Sequence, residues 1–255
     1  MAVIALASAS GSPGVTTAAL GLALMWPRPV LLVEADPAGG SALLAGYFRG
    51  MREYSAGLIE LALTSSSIRD GLAEVSQRID GTGVSFVAGT RSHTQAPALQ
   101  ELWLPLSNEL AELESTGQDV IVDGGRLGLV GSPEPLLAQA DLTLVVTRTN
   151  LPALSALRSW LDSVQRGTFE WRQSGVLLIG PGQPYGVREA GRVLNSPVVA
   201  SLPDDPESAA VFSRGVQPSK RFESGPLARG LQAAIASIHA TVSRHRSELL
   251  KGARP

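Results

Sequence analysis

Short, nearly unbroken apolar runs recur along the chain at Val3–Ala7, Val30–Val33, Val84–Ala88, Val120–Val122, Leu142–Val146, Val176–Ile179 and Val198–Leu202. Runs without polar alternation mark strands covered on both faces, as in a mainly parallel sheet. Between them, apolar residues return every three or four positions over Thr16–Met25, Leu99–Leu113, Leu151–Val164, Val187–Leu194 and Ala228–Val242, which is the helical period. The last segment belongs to a stripe of Leu227, Leu231, Ile235, Ile238 and Val242 expected to face a core. Strand then helix, repeated, predicts a single α/β domain: a doubly wound, mainly parallel sheet with helices on both faces. No internal repeat, low-complexity tract or long linker suggests a boundary. Residues 1–242 therefore read as the domain, and the polar, basic 243–255 as a tail expected to fray.

Composition removes several function classes. With 255 residues and 44% hydrophobic content the chain can bury a substantial core. Its net charge of −2 gives no global field to draw it to nucleic acid or anionic lipid. The absence of cysteine excludes disulfides, thiolate catalysis and cysteine zinc sites. His93, His239 and His245 have no metal-ligand spacing. The opening apolar run is too short and lacks the basic flank of a signal peptide, and Ala18–Val33 is interrupted by Pro27, Arg28 and Pro29, so a cytoplasmic protein is expected. In the tail, His245, Arg246, Leu249, Leu250, Lys251 and Arg254 present an apolar face only two leucines wide, expected to be solvated and to touch a membrane peripherally if at all. Trp103, Trp160, Trp171 and Tyr47 are expected to anchor helices to the sheet, with a partner surface as the alternative.

In an open parallel sheet, ligands bind beyond the carboxyl ends of the strands. There the chain carries Ser10-Gly11-Ser12-Pro13-Gly14-Val15-Thr16-Thr17 after the first run, Glu34-Ala35-Asp36-Pro37 after the second, and Asp123-Gly124-Gly125 after Val120–Val122. A glycine-rich turn from strand to helix aims backbone N–H groups and the positive end of the helix dipole at a phosphate. Thr16 with Asp123 is the pair that holds Mg²⁺ in phosphate-loop proteins. Such a loop ordinarily carries a lysine, and this one has none. The alternative without a ligand is a tight turn in which Thr16 or Thr17 caps the helix and Asp36 holds a turn before Pro37. Asp123 has the stronger context, because an acid ending a buried Val-Ile-Val strand is costly unless paired or facing a cleft.

On these residues the chain resembles the ParA/MinD family of deviant Walker A ATPases, which position chromosomes, division sites and other cargo. The family's Lys-Gly-Gly-x-Gly-Lys-[Thr/Ser]-Thr lays onto 10–17, its Asp-x-Asp-Pro onto 34–37 and its Asp-x-Pro onto 123–125. Ala140–Thr147 is similar to its sixth-strand region and Leu202-Pro203-Asp204-Asp205 to its late acidic turn. The resemblance implies nucleotide binding by Gly11, Ser12, Pro13, Gly14, Val15, Thr16, Thr17, Asp123 and Gly125. It further implies Mg²⁺ on Thr16 and Asp123, and water positioning by Asp36. The departures are Ser10 for the signature lysine, Val15 for the in-loop lysine and Gly180 for an adenine-reading asparagine. Losing preorganised charge of this kind commonly costs ~10²–10³ in rate per donor. The resemblance therefore implies a degenerate scaffold or localisation factor that binds ATP weakly or not at all and works through protein partners, itself included. The alternatives are an active Mg²⁺-dependent ATPase, with a cation supplied by a partner, and a transferase or reductase of the same fold. Arg126 and Arg148 are the candidate replacement cations, and with no motif behind either the simpler reading is a solvated loop arginine.

Overall fold

The structure, a computed structural model, describes residues 2–113, 117–165 and 171–252. The apolar runs become β1 (Val3–Ser8), β2 (Val30–Glu34), β4 (Val84–Val87), β5 (Asp119–Arg126), β6 (Leu142–Arg148), β7 (Ser174–Ile179) and β8 (Val198–Leu202), with a short β3 (Gln77–Arg78). They form one sheet in the order β3-β4-β2-β5-β1-β6-β7-β8. Every pairing is parallel except β3 with β4. This is the expected doubly wound α/β fold.

The period of two along each strand explains why the runs are continuous. Ile4 and Leu6 point into one apolar cluster, and Val3, Ala5 and Ala7 into the other. Helices α1 (Val15–Met25), α8 (Pro206–Arg214) and α9 (Pro226–Gly252) contribute to the first. The second is built from α2 (Leu58–Ala62), α3 (Ile68–Val75), α4 (Gln100–Glu112), α5 (Glu134–Gln139), α6 (Leu151–Gln165) and α7 (Val187–Leu194). The stripe Leu227, Leu231, Ile235, Ile238 and Val242 is buried in the first cluster, as its spacing predicts.

The structure adds what the hydrophobic period does not mark. Helices α2, α3, α5 and α8 are five to nine residues long, about two and a half turns at most, and among the described helices this short α7 alone is legible from its period. β5 extends in both directions beyond Val120–Val122, and its polar first residue is partnered. The buried Asp119 carboxylate accepts from Ala2 N (2.6 Å) and Trp26 Nε1 (2.7 Å) and pairs with Arg28 (2.7 Å). This ties the start of β1 and the end of α1 to the base of the sheet. α9 continues without a break past residue 242 to Gly252, so 243–252 of the segment expected to fray are helical, with Arg246 paired to Asp141 at 2.9 Å. Leu249 and Leu250 are exposed, and Arg254 lies outside the described residues. Trp103 is buried and donates to Gly131 O, whereas Trp160, Trp171 and Tyr47 are half-buried. No helix among the described residues is long and apolar enough to cross a membrane.

Candidate functional site

The loop from Ala9 to Gly14 joins β1 to α1. Gly11 and Gly14 have φ of 62° and 105°, a region that side-chain-bearing residues rarely enter. A Cβ on Gly11 would meet nothing within 4 Å, so glycine there serves the backbone turn and leaves the space above it open. Gly14 is the N-cap of α1 and no side chain caps the helix. The capping role weighed for Thr16 and Thr17 is therefore absent; both lie in the first turn, on the wall of a cleft of about 540 Å³. The first N–H groups of α1 are left without a side-chain acceptor, as an anion site requires.

Three carboxylates converge beside this loop. Glu34 and Asp123 are register partners at the ends of β2 and β5. Glu34 is fully engaged, accepting from Leu43 N (3.0 Å) and Gly89 N (3.0 Å), yet burial still raises its pKa above the ordinary carboxylate value. Asp36 accepts from Ala38 N at 2.8 Å, closing the turn that the sequence suggests, and also lines the cleft. Asp123 is 1% exposed. Burial pushes its carboxyl up to about 7, opposed by hydrogen bonding from Thr16 and reinforced by the charges of Asp36 and Glu34. Its Oδ1 accepts from Gly125 N at 3.1 Å, while Oδ2 has no partner among the described residues. A buried carboxylate oxygen left unbonded is costly, and a divalent ion or its bound water is the kind of group that satisfies it.

The expected residues are therefore brought together. Gly11, Ser12, Gly14, Val15, Thr16, Thr17, Asp36 and Gly125 line the one cleft, with the buried Asp123 beside Thr16 beneath it. Pro13 is turned away and lines a neighbouring cavity of about 160 Å³ with Arg148 and Asp204. Among the described residues no group of three acidic or histidine side chains could hold a metal unaided. The donor set fits Mg²⁺ only if phosphate oxygens complete the shell, with Thr16 and Asp123 as the protein's contribution.

The missing charges are equally visible. Val15 is buried and packs in the apolar cluster beneath α1. Ser10 lines a separate depression with Asn150 and Pro152. Gly180, with φ of 66°, is held by its N–H to Leu202 O and by Thr149 donating to its carbonyl. A Cβ there would approach Asp204 Cβ at 3.0 Å, so the position favours glycine for backbone reasons. Arg148 is paired with Asp204 at 2.6 Å and lies outside the residues lining the main cleft, whereas Arg126 lines it. Ser8, Ala38 and Leu129 also line the cleft; they lie in or beside the motif segments and carry no chemical signature of their own.

No protein-family model matches the chain, and no curated protein matches it. Many solved structures do. The septum site-determining protein MinD complexed with Mg-ADP from Pyrococcus horikoshii OT3 superposes with a TM-score of 0.71 at 16% identity, covering 93% of this chain and 95% of that one. A ParA family ATPase from Chlorobium tepidum gives 0.73 at 16% identity over 94% and 98%. The MinC:MinD cell division protein complex of Aquifex aeolicus gives 0.73 at 13% identity over 94% and 96%. The fold is that of the MinD/ParA-type P-loop ATPases across nearly the whole chain.

Proposed function

We propose that this protein is a degenerate ParA/MinD-like scaffold or localisation factor that acts through protein partners, with weak or absent ATP binding and little or no hydrolysis. The observation that carries the reading is the cationic deficit of the loop. Ser10 and Val15 stand at both lysine positions, and the Val15 side chain is committed to the core. Phosphoryl transfer depends on fixed positive charge around the transferring group. Here that group would instead meet the charges of Asp36 and Asp123.

What is retained suits holding more than turning over. The backbone of Gly11–Gly14 and the uncapped start of α1 would cradle a phosphate. Thr16 and Asp123 would hold Mg²⁺, which would supply charge neutralisation between phosphate oxygens. Asp36, fixed by its turn, would orient a water where hydrolysis occurs. The 160 Å³ cavity beside Pro13 would receive the nucleoside end. Protein partners are supported by the fold's appearance in a MinC:MinD complex, and a homodimer across the loop face belongs to the same proposal. Cytoplasmic residence belongs to the same proposal.

An active ATPase is the second reading, favoured by the orphaned Asp123 Oδ2. Calorimetry with Mg-ATP, beside a turnover assay, separates the two. The scaffold reading predicts a weak or undetectable binding isotherm and no turnover above background. Micromolar binding and turnover, both abolished by Thr16→Ala or Asp123→Ala, would establish the second. Ser10→Lys with Val15→Lys should raise turnover if the charge deficit is the cause.

A further inference from the structure

β5 does not end at Asp123. Against β1 its register runs Leu6 with Asp123 and then Ser8 with Arg126, so β5 spends one more residue than β1 over the same stretch. An extra residue of this kind is a bulge, which bends the strand and re-aims the side chain that follows. Gly124-Gly125 makes it possible. A Cβ on Gly124 would come within 2.9 Å of the Leu137 side chain, and one on Gly125, whose φ is 61°, would overlap the Asp36 carboxylate. The residue re-aimed is Arg126. It is exposed, lines the cleft together with Val15 and Thr16, and is the single cation among the described lining residues. No hydrogen bond or ion pair engages it among the described residues.

We propose that Arg126 takes over the task of the absent loop lysine and holds the phosphate chain of a nucleoside di- or triphosphate from the β5 side of the cleft. This rests on the cleft being a phosphate site. Two features of the cleft support it. The carboxylates of Asp36 and Asp123 repel an anion that only backbone N–H groups would otherwise receive, so a full positive charge is needed in addition to Mg²⁺. A guanidinium also offers paired donors to phosphate oxygens, and an arginine on the adjacent strand end reaches the cleft without passing through the packed position of Val15. The charge comes from a different strand than the loop lysine's, so it anchors a ground-state anion without reproducing the lysine's placement. Binding with little hydrolysis follows.

The test is calorimetry on the full chain with Mg-ADP, Mg-ATP and pyrophosphate, at low and high salt. Arg126→Ala should weaken each by about tenfold or more, the worth of a charge-assisted contact. Arg126→Lys should recover part of the loss. Arg188→Ala, an exposed arginine on α7 away from the lining residues, should leave each affinity unchanged. The salt dependence of binding should shrink in Arg126→Ala. If Arg126→Ala melts below the wild type, Arg126→Gln carries the same comparison. Equal affinities in wild type and Arg126→Ala would overturn the role of Arg126 while leaving phosphate binding by the loop intact. No binding of any of the three ligands to the wild type would also overturn it, and would leave the scaffold reading standing. Turnover in the wild type would contradict the scaffold reading, with the affinity ratio still deciding Arg126.

Discussion

Replacing Asp123 with asparagine should stabilise the ligand-free protein at neutral and alkaline pH. The native state holds this carboxyl near pKa 7, against an ordinary 3.8, so between those values the folded protein retains a proton that the unfolded chain gives up. Stability is therefore fully present below about pH 4 and is lost as pH rises towards 7. The gap is worth about 4 kcal/mol at pH 8, at 1.36 kcal/mol per pH unit. Asparagine keeps the acceptor for Gly125 N but puts an amide where Oδ2 was unpartnered, and an unsatisfied buried donor returns about 1–3 kcal/mol of that. The net gain is about 2 kcal/mol, or roughly 4–8 °C in Tm for a chain of this size. Thermal melts of wild type and Asp123→Asn from pH 4 to pH 8 measure it. The difference should be small or reversed at pH 4 and favour the variant increasingly to pH 8. A variant no more stable at pH 8, or an offset independent of pH, would refute the claim that Asp123 is kept at a cost to folding.

Four further outcomes rest on local geometry. Gly125→Ala should lose about 2 kcal/mol or more in denaturant unfolding, because a positive-φ strain of ~1–3 kcal/mol adds to the overlap with Asp36. Asp119→Ala should cost about 3 kcal/mol or more and alter Trp26 fluorescence, since each charge-assisted bond it gives up is worth ~1.5–3 kcal/mol. Leu231→Ala, at the packing of α9 on α1 beside Gly21, should cost ~2–5 kcal/mol by chemical denaturation, whereas Arg246→Ala at the partly exposed Asp141 pair should cost less than about 1 kcal/mol.

The sequence displays the sheet because burying both faces forces Ile4 and Leu6 one way and Val3, Ala5 and Ala7 the other. That requirement leaves few polar positions inside the strands, Ser85, Thr143 and Ser201 among them. α9 is equally legible from its stripe of leucine, isoleucine and valine. The short helices are hidden because five to nine residues hold at most about two and a half turns, which leaves a weak period. α8 shows the limit well: its signals are local, an Asp205 cap accepting from Ser208 N at 3.1 Å followed by Pro206, and the same residues read equally as a turn. The convergence of the loop, Asp36 and Asp123 follows from the rule that parallel strands present their carboxyl ends on one side. The placement of Arg126 is not legible, because nothing in Asp-Gly-Gly-Arg distinguishes a strand that stops from one that bulges and continues. Only the β1 register reveals the extra residue. Continuation of α9 beyond residue 242 is masked for a related reason. The polar, basic composition of 243–252 fits a solvated helix as well as a frayed end.

On the proposed reading, the cleft keeps its cradle and its Mg²⁺-type donors but lacks the charge that turnover requires. Single-turnover and steady-state assays of the purified full chain with Mg-ATP, run beside Ser10→Lys with Val15→Lys, test it most directly. The account predicts turnover at background for the wild type and a measurable rise in the double variant. Robust wild-type turnover that disappears in Asp123→Ala would contradict it.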